Sequence, residues 1–127
     1  QLQRKGVIKM AKIFLICPTR GHDPAETLSQ VEKLEQRGNT VHWPPRDTSQ
    51  IDLTGLQICK DNLRAIQEAD CIYFTWDGIS QGCLFDLGMA FALGKPIIYL
   101  SMPMPTKDKS FQNMVRAYHK ESYHKEE

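Results

Sequence analysis

The chain has 127 residues, 41% of them hydrophobic and 24% charged, enough for one compact core and too few for two domains. Its net charge is +1 and it carries no run of five or more basic residues, which argues against nucleic acid or an anionic membrane as the main partner. The longest apolar stretch is interrupted by Asp86, Lys95 and glycines, so no membrane span is expected.

Residues 1–9 are polar and basic, and Met10 directly precedes the first strand-like run. The reading is an extension at 1–9, one domain at 10–118 and a polar tail or frayed helix end at 119–127. Lys12-Ile13-Phe14-Leu15-Ile16-Cys17 is a continuous apolar run closed by Pro18, the pattern of a strand buried on both faces of a parallel sheet. Asp23-Pro24-Ala25-Glu26 supplies an N-cap, a proline at the first helical position and a capping-box glutamate. Leu28, Val31 and Leu34 form the apolar stripe of that helix, and Gly38 ends it. Thr40-Val41-His42-Trp43 predicts a short second strand stopped by Pro44-Pro45, followed by a polar loop over 46–53.

Thr54-Gly55-Leu56-Gln57 offers a second capping box, and Leu56, Cys59, Leu63 and Ile66 recur at helical spacing up to Ala69. Cys71-Ile72-Tyr73-Phe74-Thr75-Trp76 predicts a third buried strand ending at Asp77-Gly78. The next helix starts near Ser80-Gln81-Gly82 and closes at Gly94; it is apolar on nearly every side and is expected to be packed all round. Pro96-Ile97-Ile98-Tyr99-Leu100 predicts the fourth strand, and a proline-rich loop leads to a last helix around 111–119. This β-α-β-α-β-α-β-α order implies an α/β fold: a single-domain doubly wound parallel sheet of flavodoxin or Rossmann type, with helices on both faces.

Such sheets bind ligands beyond the carboxyl ends of their strands, where the strand order switches. That rule gathers 18–22, 43–47, 76–82 and 101 onward around one crevice. Asp86 rises from it as a lone carboxylate in an apolar helix, about one turn past the helix start. A buried carboxylate is costly unless it is paired or functional, and the nearby helix amides favour its charge. The plainer reading ties it to those amides or to a serine hydroxyl.

Thr19, Arg20 and Gly21 join the first strand to its helix and can hold a phosphate through a hydroxyl, a guanidinium and closely approached amides; an ordinary surface turn is the competing reading. Ser80 could donate to the same phosphate. Trp43 and Trp76 end strands and could stack on a base, with Trp43 favoured, although packing is expected for at least one of them. Asp77 is a turn residue or a second acid or base. His22 and His42 have no matched metal partners, and neither metal nor cofactor is expected. Cys83 at a helix N-terminus could have an activated thiol. Otherwise Cys17, Cys59, Cys71 and Cys83 show no CxxC or zinc spacing and read as reduced thiols, consistent with a cytoplasmic location.

The segment Ser80-Gln81-Gly82-Cys83-Leu84-Phe85-Asp86-Leu87-Gly88-Met89-Ala90-Phe91-Ala92-Leu93-Gly94-Lys95-Pro96 resembles the signature of nucleoside 2-deoxyribosyltransferases and the related 2'-deoxynucleoside 5'-phosphate N-hydrolases. That signature has a glycine two to four residues before Glu-Leu-Gly, then an alanine-rich helix ending at Gly-Lys-Pro. Lys12 to Gly21, and Asn62 to Asp70, also match in spacing, so the resemblance spans roughly residues 12–116. It implies attack by the motif carboxylate, here Asp86, on the anomeric carbon of a nucleoside or nucleotide, release of the base, and a glycosyl-enzyme resolved by a second base or by water.

Two positions depart from the pattern. Asp86 stands where the family has glutamate and is one methylene shorter. Asn62 stands where the family has an aspartate that protonates or positions the base, and it can hydrogen-bond without delivering a proton. Arg20, Gly21 and Ser80 match the branch that takes 5'-monophosphates, and Gly82 is the motif glycine. The resemblance also implies a homodimer or larger assembly in which Gln112 or Asn113, with Met114 packing beside them, completes a neighbour's site. The paired changes at Asp86 and Asn62 keep open an alternative, a nucleotide-binding protein that cleaves nothing.

Overall fold

The computed structural model describes residues 10–124, so the extension read at 1–9 and the end of the tail at 125–127 lie outside the described residues. Strands β1 (Lys12–Ile16), β2 (Thr40–His42), β3 (Cys71–Thr75) and β4 (Ile97–Ser101) form a parallel sheet in the order β2-β1-β3-β4. Five helices connect and follow them: α1 (Ala25–Gln36), α2 (Pro44–Asp47), α3 (Leu56–Glu68), α4 (Gln81–Ala92) and α5 (Phe111–His124). The chain steps one way from β1 to β2 and the other way to β3, which puts the switch in strand order between β1 and β3.

Alternation along β1 builds a core on each side of the sheet. Ile13 and Leu15 pack with Val31 and Leu34 of α1, whereas Phe14 and Ile16 pack with Ile66 of α3, Leu87 of α4 and Val115 of α5. Helices therefore lie on both faces, as the βαβ order requires. Lys95, from the Gly-Lys-Pro end of the motif, donates to the carbonyls of Gln67 (2.9 Å) and Ala69 (2.7 Å) and so closes the C-terminus of α3.

Several local expectations change. Pro44 and Pro45 open helix α2 rather than only stopping β2, because the first helical positions need no N–H; the amides of Arg46 and Asp47 bond Trp43 O at 2.9 and 2.8 Å. The Thr54/Gln57 capping box does not form. Gly55 adopts φ +87°, the Ile58 amide goes instead to Asp52 Oδ2 (2.9 Å), and Gln57 pairs with Asp61 (2.8 Å). At α1, Asp23 Oδ1 accepts from the Ala25 amide at 3.0 Å, but Glu26 turns to His22 instead of closing a box, and Thr27 replaces Leu28 on the buried stripe.

Helix α4 is not covered on every side: Phe85 and Phe91 are exposed, as is Leu93 at its C-cap. Helix α5 continues past 119 to His124.

Candidate active site

The carboxyl ends of β1 and β3 open onto a crevice with two adjoining parts. The inner part, about 140 Å³, is lined by Cys17, Thr19, Asn62, Ser80, Gly82 and Asp86 among others. The outer part, about 480 Å³, includes Arg20, His22, Pro45 and Asp52. Thr19, Gln50 and Ile58 border both, so the two parts adjoin, with Asp86 on the inner one and Arg20 on the outer. A larger recess of about 550 Å³ runs along β2; three of its charged side chains pair with one another, Arg46 with Glu35 (3.0 Å) and with Asp47 (2.8 Å), and Lys12 and Glu68 line it as well.

Ser80 is the N-cap of α4, its Oγ accepting from the Cys83 amide at 3.4 Å. The hydroxyl proton is not used in that bond. One turn on, Asp86 is half-buried with its carboxylate at the pocket wall. Burial raises its pKa from the ordinary carboxylate value to about 7, against the opposing effect of Asn62, whose Nδ2 donates to Oδ2 across 3.5 Å. A carboxyl group poised near neutrality in a cleft has the electrostatic mark of a working residue.

Asn62 is itself only 6% exposed, on the buried side of α3 with Ile66. Its Oδ1 accepts from Thr48 Oγ1 at 2.8 Å. Both ends of the amide are thus occupied, and the residue acts toward Asp86 as well as toward the pocket. Thr48 lies in the stretch read as a polar loop, and nothing in its local sequence marks it. The short helix α2, of which Thr48 is the C-cap, sets its position, and Pro44-Pro45 reads from the sequence only as the stop of β2.

Asp77 sits apart from Asp86. Its Oδ1 accepts from the amides of Ile79 (2.9 Å) and Ser80 (2.7 Å), and its Oδ2 meets His22 Nε2 at 2.7 Å. Burial works against ionisation there, yet the two amides and His22 prevail and hold the pKa below the usual carboxylate value. The Asp77 bond is in turn the main reason His22 is raised. This pair lines a recess of about 190 Å³ with Gln30, Thr75 and Ser101, which adjoins the outer part of the crevice at Pro18 and His22.

The favoured stacking residue fails on geometry. Trp43, only 5% exposed, belongs to the core under α1; its Nε1–H is committed to Thr27 Oγ1 at 2.9 Å, which leaves no face for a base. Trp76 is also buried and donates to Ser80 O at 3.0 Å. Cys83 is not activated by the helix end: burial pushes its thiol up to about 12, and that of Cys17 to about 11.

Gln112 and Asn113 border neither part of the crevice and instead brace the loop before α5. Gln112 donates to Met104 O (3.2 Å), and Asn113 donates to Thr106 O (2.9 Å) and Asp108 O (2.7 Å). Met114 packs against the core. Among the described residues no cluster of three potential metal ligands occurs, and no helix is long and apolar enough to cross a membrane.

Residues 13–117 match the model of the nucleoside 2-deoxyribosyltransferase family. Among solved structures, the chain is similar to the 2-deoxyribosyltransferase of the psychrotolerant bacterium Bacillus psychrosaccharolyticus, with a TM-score of 0.65 and 24% identity over 85% of this chain and 82% of that one. It is also similar to the CMP N-glycosidase BcmB of Clostridium botulinum, with a TM-score of 0.61 and 22% identity over 86% of this chain and 81% of that one. No curated protein matches the chain significantly.

Proposed function

We propose, since the chain belongs to the nucleoside 2-deoxyribosyltransferase family, that it cleaves or transfers at the N-glycosidic bond of a (deoxy)nucleoside 5'-monophosphate. The observation that carries the reading is Asp86, a half-buried carboxyl group with a pKa of about 7 at the wall of a pocket that adjoins the one lined by Arg20. In its ionised form Asp86 attacks the anomeric carbon as the bond to the base breaks. The resulting glycosyl ester is then resolved by water or by a second base.

The Ser80 hydroxyl, Arg20 and the turn through Thr19 and Gly21 take the 5'-phosphate. Gly82 lets the sugar approach the first turn of α4. The structures that share this fold act, by their own descriptions, as a deoxyribosyltransferase and a CMP N-glycosidase, and both chemistries suit this arrangement. The exposed apolar side chains of α4 and its C-cap, Phe85, Phe91 and Leu93, support a homo-oligomer.

Incubation with a panel of ribo- and deoxyribonucleoside monophosphates, followed by chromatography, is expected to reveal free base. Release from none of them at high enzyme concentration would refute the activity. A specific observation favours one second reading: Asp86 is shorter than the family's glutamate and is held by an amide that cannot donate an acid proton. On that reading the protein binds a nucleotide without cleaving it, and the nucleotide raises the melting temperature and is recovered intact.

A further inference from the structure

Four side chains from four separate segments make a single file into the core: His42 of β2, Thr48 after α2, Asn62 of α3 and Asp86 of α4. His42 Nε2 lies 2.7 Å from Thr48 Oγ1, Thr48 Oγ1 lies 2.8 Å from Asn62 Oδ1, and Asn62 Nδ2 lies 3.5 Å from Asp86 Oδ2. Thr48 is 4% exposed, so water does not readily substitute for either of its partners.

The direction of the file follows from proton counting. Asn62 Oδ1 only accepts, so the one Thr48 hydroxyl proton is donated to it. Thr48 must then receive from His42, which requires the proton on Nε2. The amide orientation that starts this count is set by the ionised Asp86 carboxylate, which only accepts and so takes the Asn62 N–H. The imidazole is fixed in plane by Phe14, its β1 neighbour in register, which stacks on it at 5.2 Å and 10°.

We propose that His42 and Thr48 are positioning residues for the reaction: together they lock the Asn62 amide so that its N–H faces the ionised Asp86 carboxylate and holds it in the attacking orientation. This rests on the reading of Asp86 as nucleophile. The two outer links are short, and the last, at 3.5 Å, is slack. A slack bond beside a reacting group is the one that substrate tightens, as catalytic hydrogen bonds in ligand-free enzymes often do. With Thr48 unable to donate, Asn62 Oδ1 would be buried without a partner and the amide would lose its lock; it could then turn over and accept the proton of a protonated Asp86 on Oδ1, which favours the protonated carboxyl over the carboxylate.

The charged groups around His42 are Arg46 and Asp47 from α2 and Asp61 and Glu68 from α3, and burial holds its pKa below the ordinary value. The titratable neighbours of Asp86 are the thiols of Cys17, Cys59 and Cys83, all with raised pKa values.

The test combines NMR on the full chain with kinetics on nucleoside monophosphates. In the wild-type protein, long-range ¹H–¹⁵N spectra at pH 7.5 are expected to show His42 as the neutral Nε2–H form; the Nδ1–H form would overturn the proposal without any variant. In Thr48→Val, which removes the hydroxyl at constant shape, the ¹³C titration midpoint of the Asp86 carboxyl is expected to move up by about half a unit or more. The acid limb of kcat should follow it, with kcat down on the order of 10-fold and KM within about twofold.

Thr48→Ser, which keeps the donor, is expected to restore the midpoint and kcat. A Thr48→Val midpoint equal to the wild type, or equal shifts in Val and Ser variants, would contradict the relay. If wild-type protein releases no base, the proposed reaction fails, and the NMR arms still decide the relay.

Discussion

Asp77 and Asp86 stand nine positions apart in the sequence, both near the carboxyl end of β3, and their surroundings drive them in opposite directions. Asp77 is encircled by donors: two backbone amides and His22. Its charge is satisfied, its pKa is lowered despite partial burial, and its role is to hold the turn into α4. Asp86 has one long bond to an amide and an apolar helix around it, so burial dominates and its pKa rises to about 7. A carboxylate already solvated by the protein has little to gain from a substrate, whereas an under-solvated one is a better nucleophile.

The sharpest way to break this comparison is to neutralise each carboxylate in turn. Asp86→Asn is expected to reduce base release by about 10⁴-fold or more, the scale seen when a nucleophile is removed. Asp77→Asn is expected to stay within about 10-fold. Equal losses would mean that the two groups act as one unit. Asp86→Glu comes next: an added methylene in a pocket fitted to aspartate is expected to cost on the order of 100-fold in kcat, since misplacement by an ångström does so elsewhere. A gain instead of a loss would identify the natural protein as a binder on a competent scaffold.

Stability gives a third contrast, with opposite signs. Because the folded pKa of Asp86 lies above the unfolded value of 3.8, its protonated form favours folding, and that contribution is lost as pH rises from about 4 through 7. Asp86→Asn should therefore stabilise the protein at pH 8, by roughly 3 kcal/mol after allowance for residual solvent contact, and far less at pH 4. Asp77 behaves the other way: its contribution is present above the unfolded value and falls away as pH drops through its lowered pKa. Denaturant melts of both variants across pH 4 to 8 check the signs. The smallest effect belongs to the phosphate end, where Arg20→Ala is expected to raise KM for a monophosphate about 10-fold and leave that for the free nucleoside unchanged.

The fold was legible because its strongest signals are local and periodic: buried strand runs, and helices ended by glycine or proline. The misses were competitive. Gly55 could serve a capping box or a left-handed turn, and the turn won; Pro44-Pro45 could stop a strand or start a helix, and did both. At the site, Asp86 was legible as a charge without a local partner. Thr48 was not, because its importance comes from Asn62 and His42, which are distant in the sequence and meet it only after folding. Trp43 misled for the same reason: its partner Thr27 lies on another element.

The most direct test of Asp86 as the reacting group is peptide mapping by mass spectrometry after acid quench during turnover of a monophosphate that the protein cleaves. The account predicts an added sugar-phosphate mass on the peptide containing Asp86, absent from Asp86→Asn and retained in Asp77→Asn. Turnover with that mass on another residue, or undiminished turnover in Asp86→Asn, would contradict it.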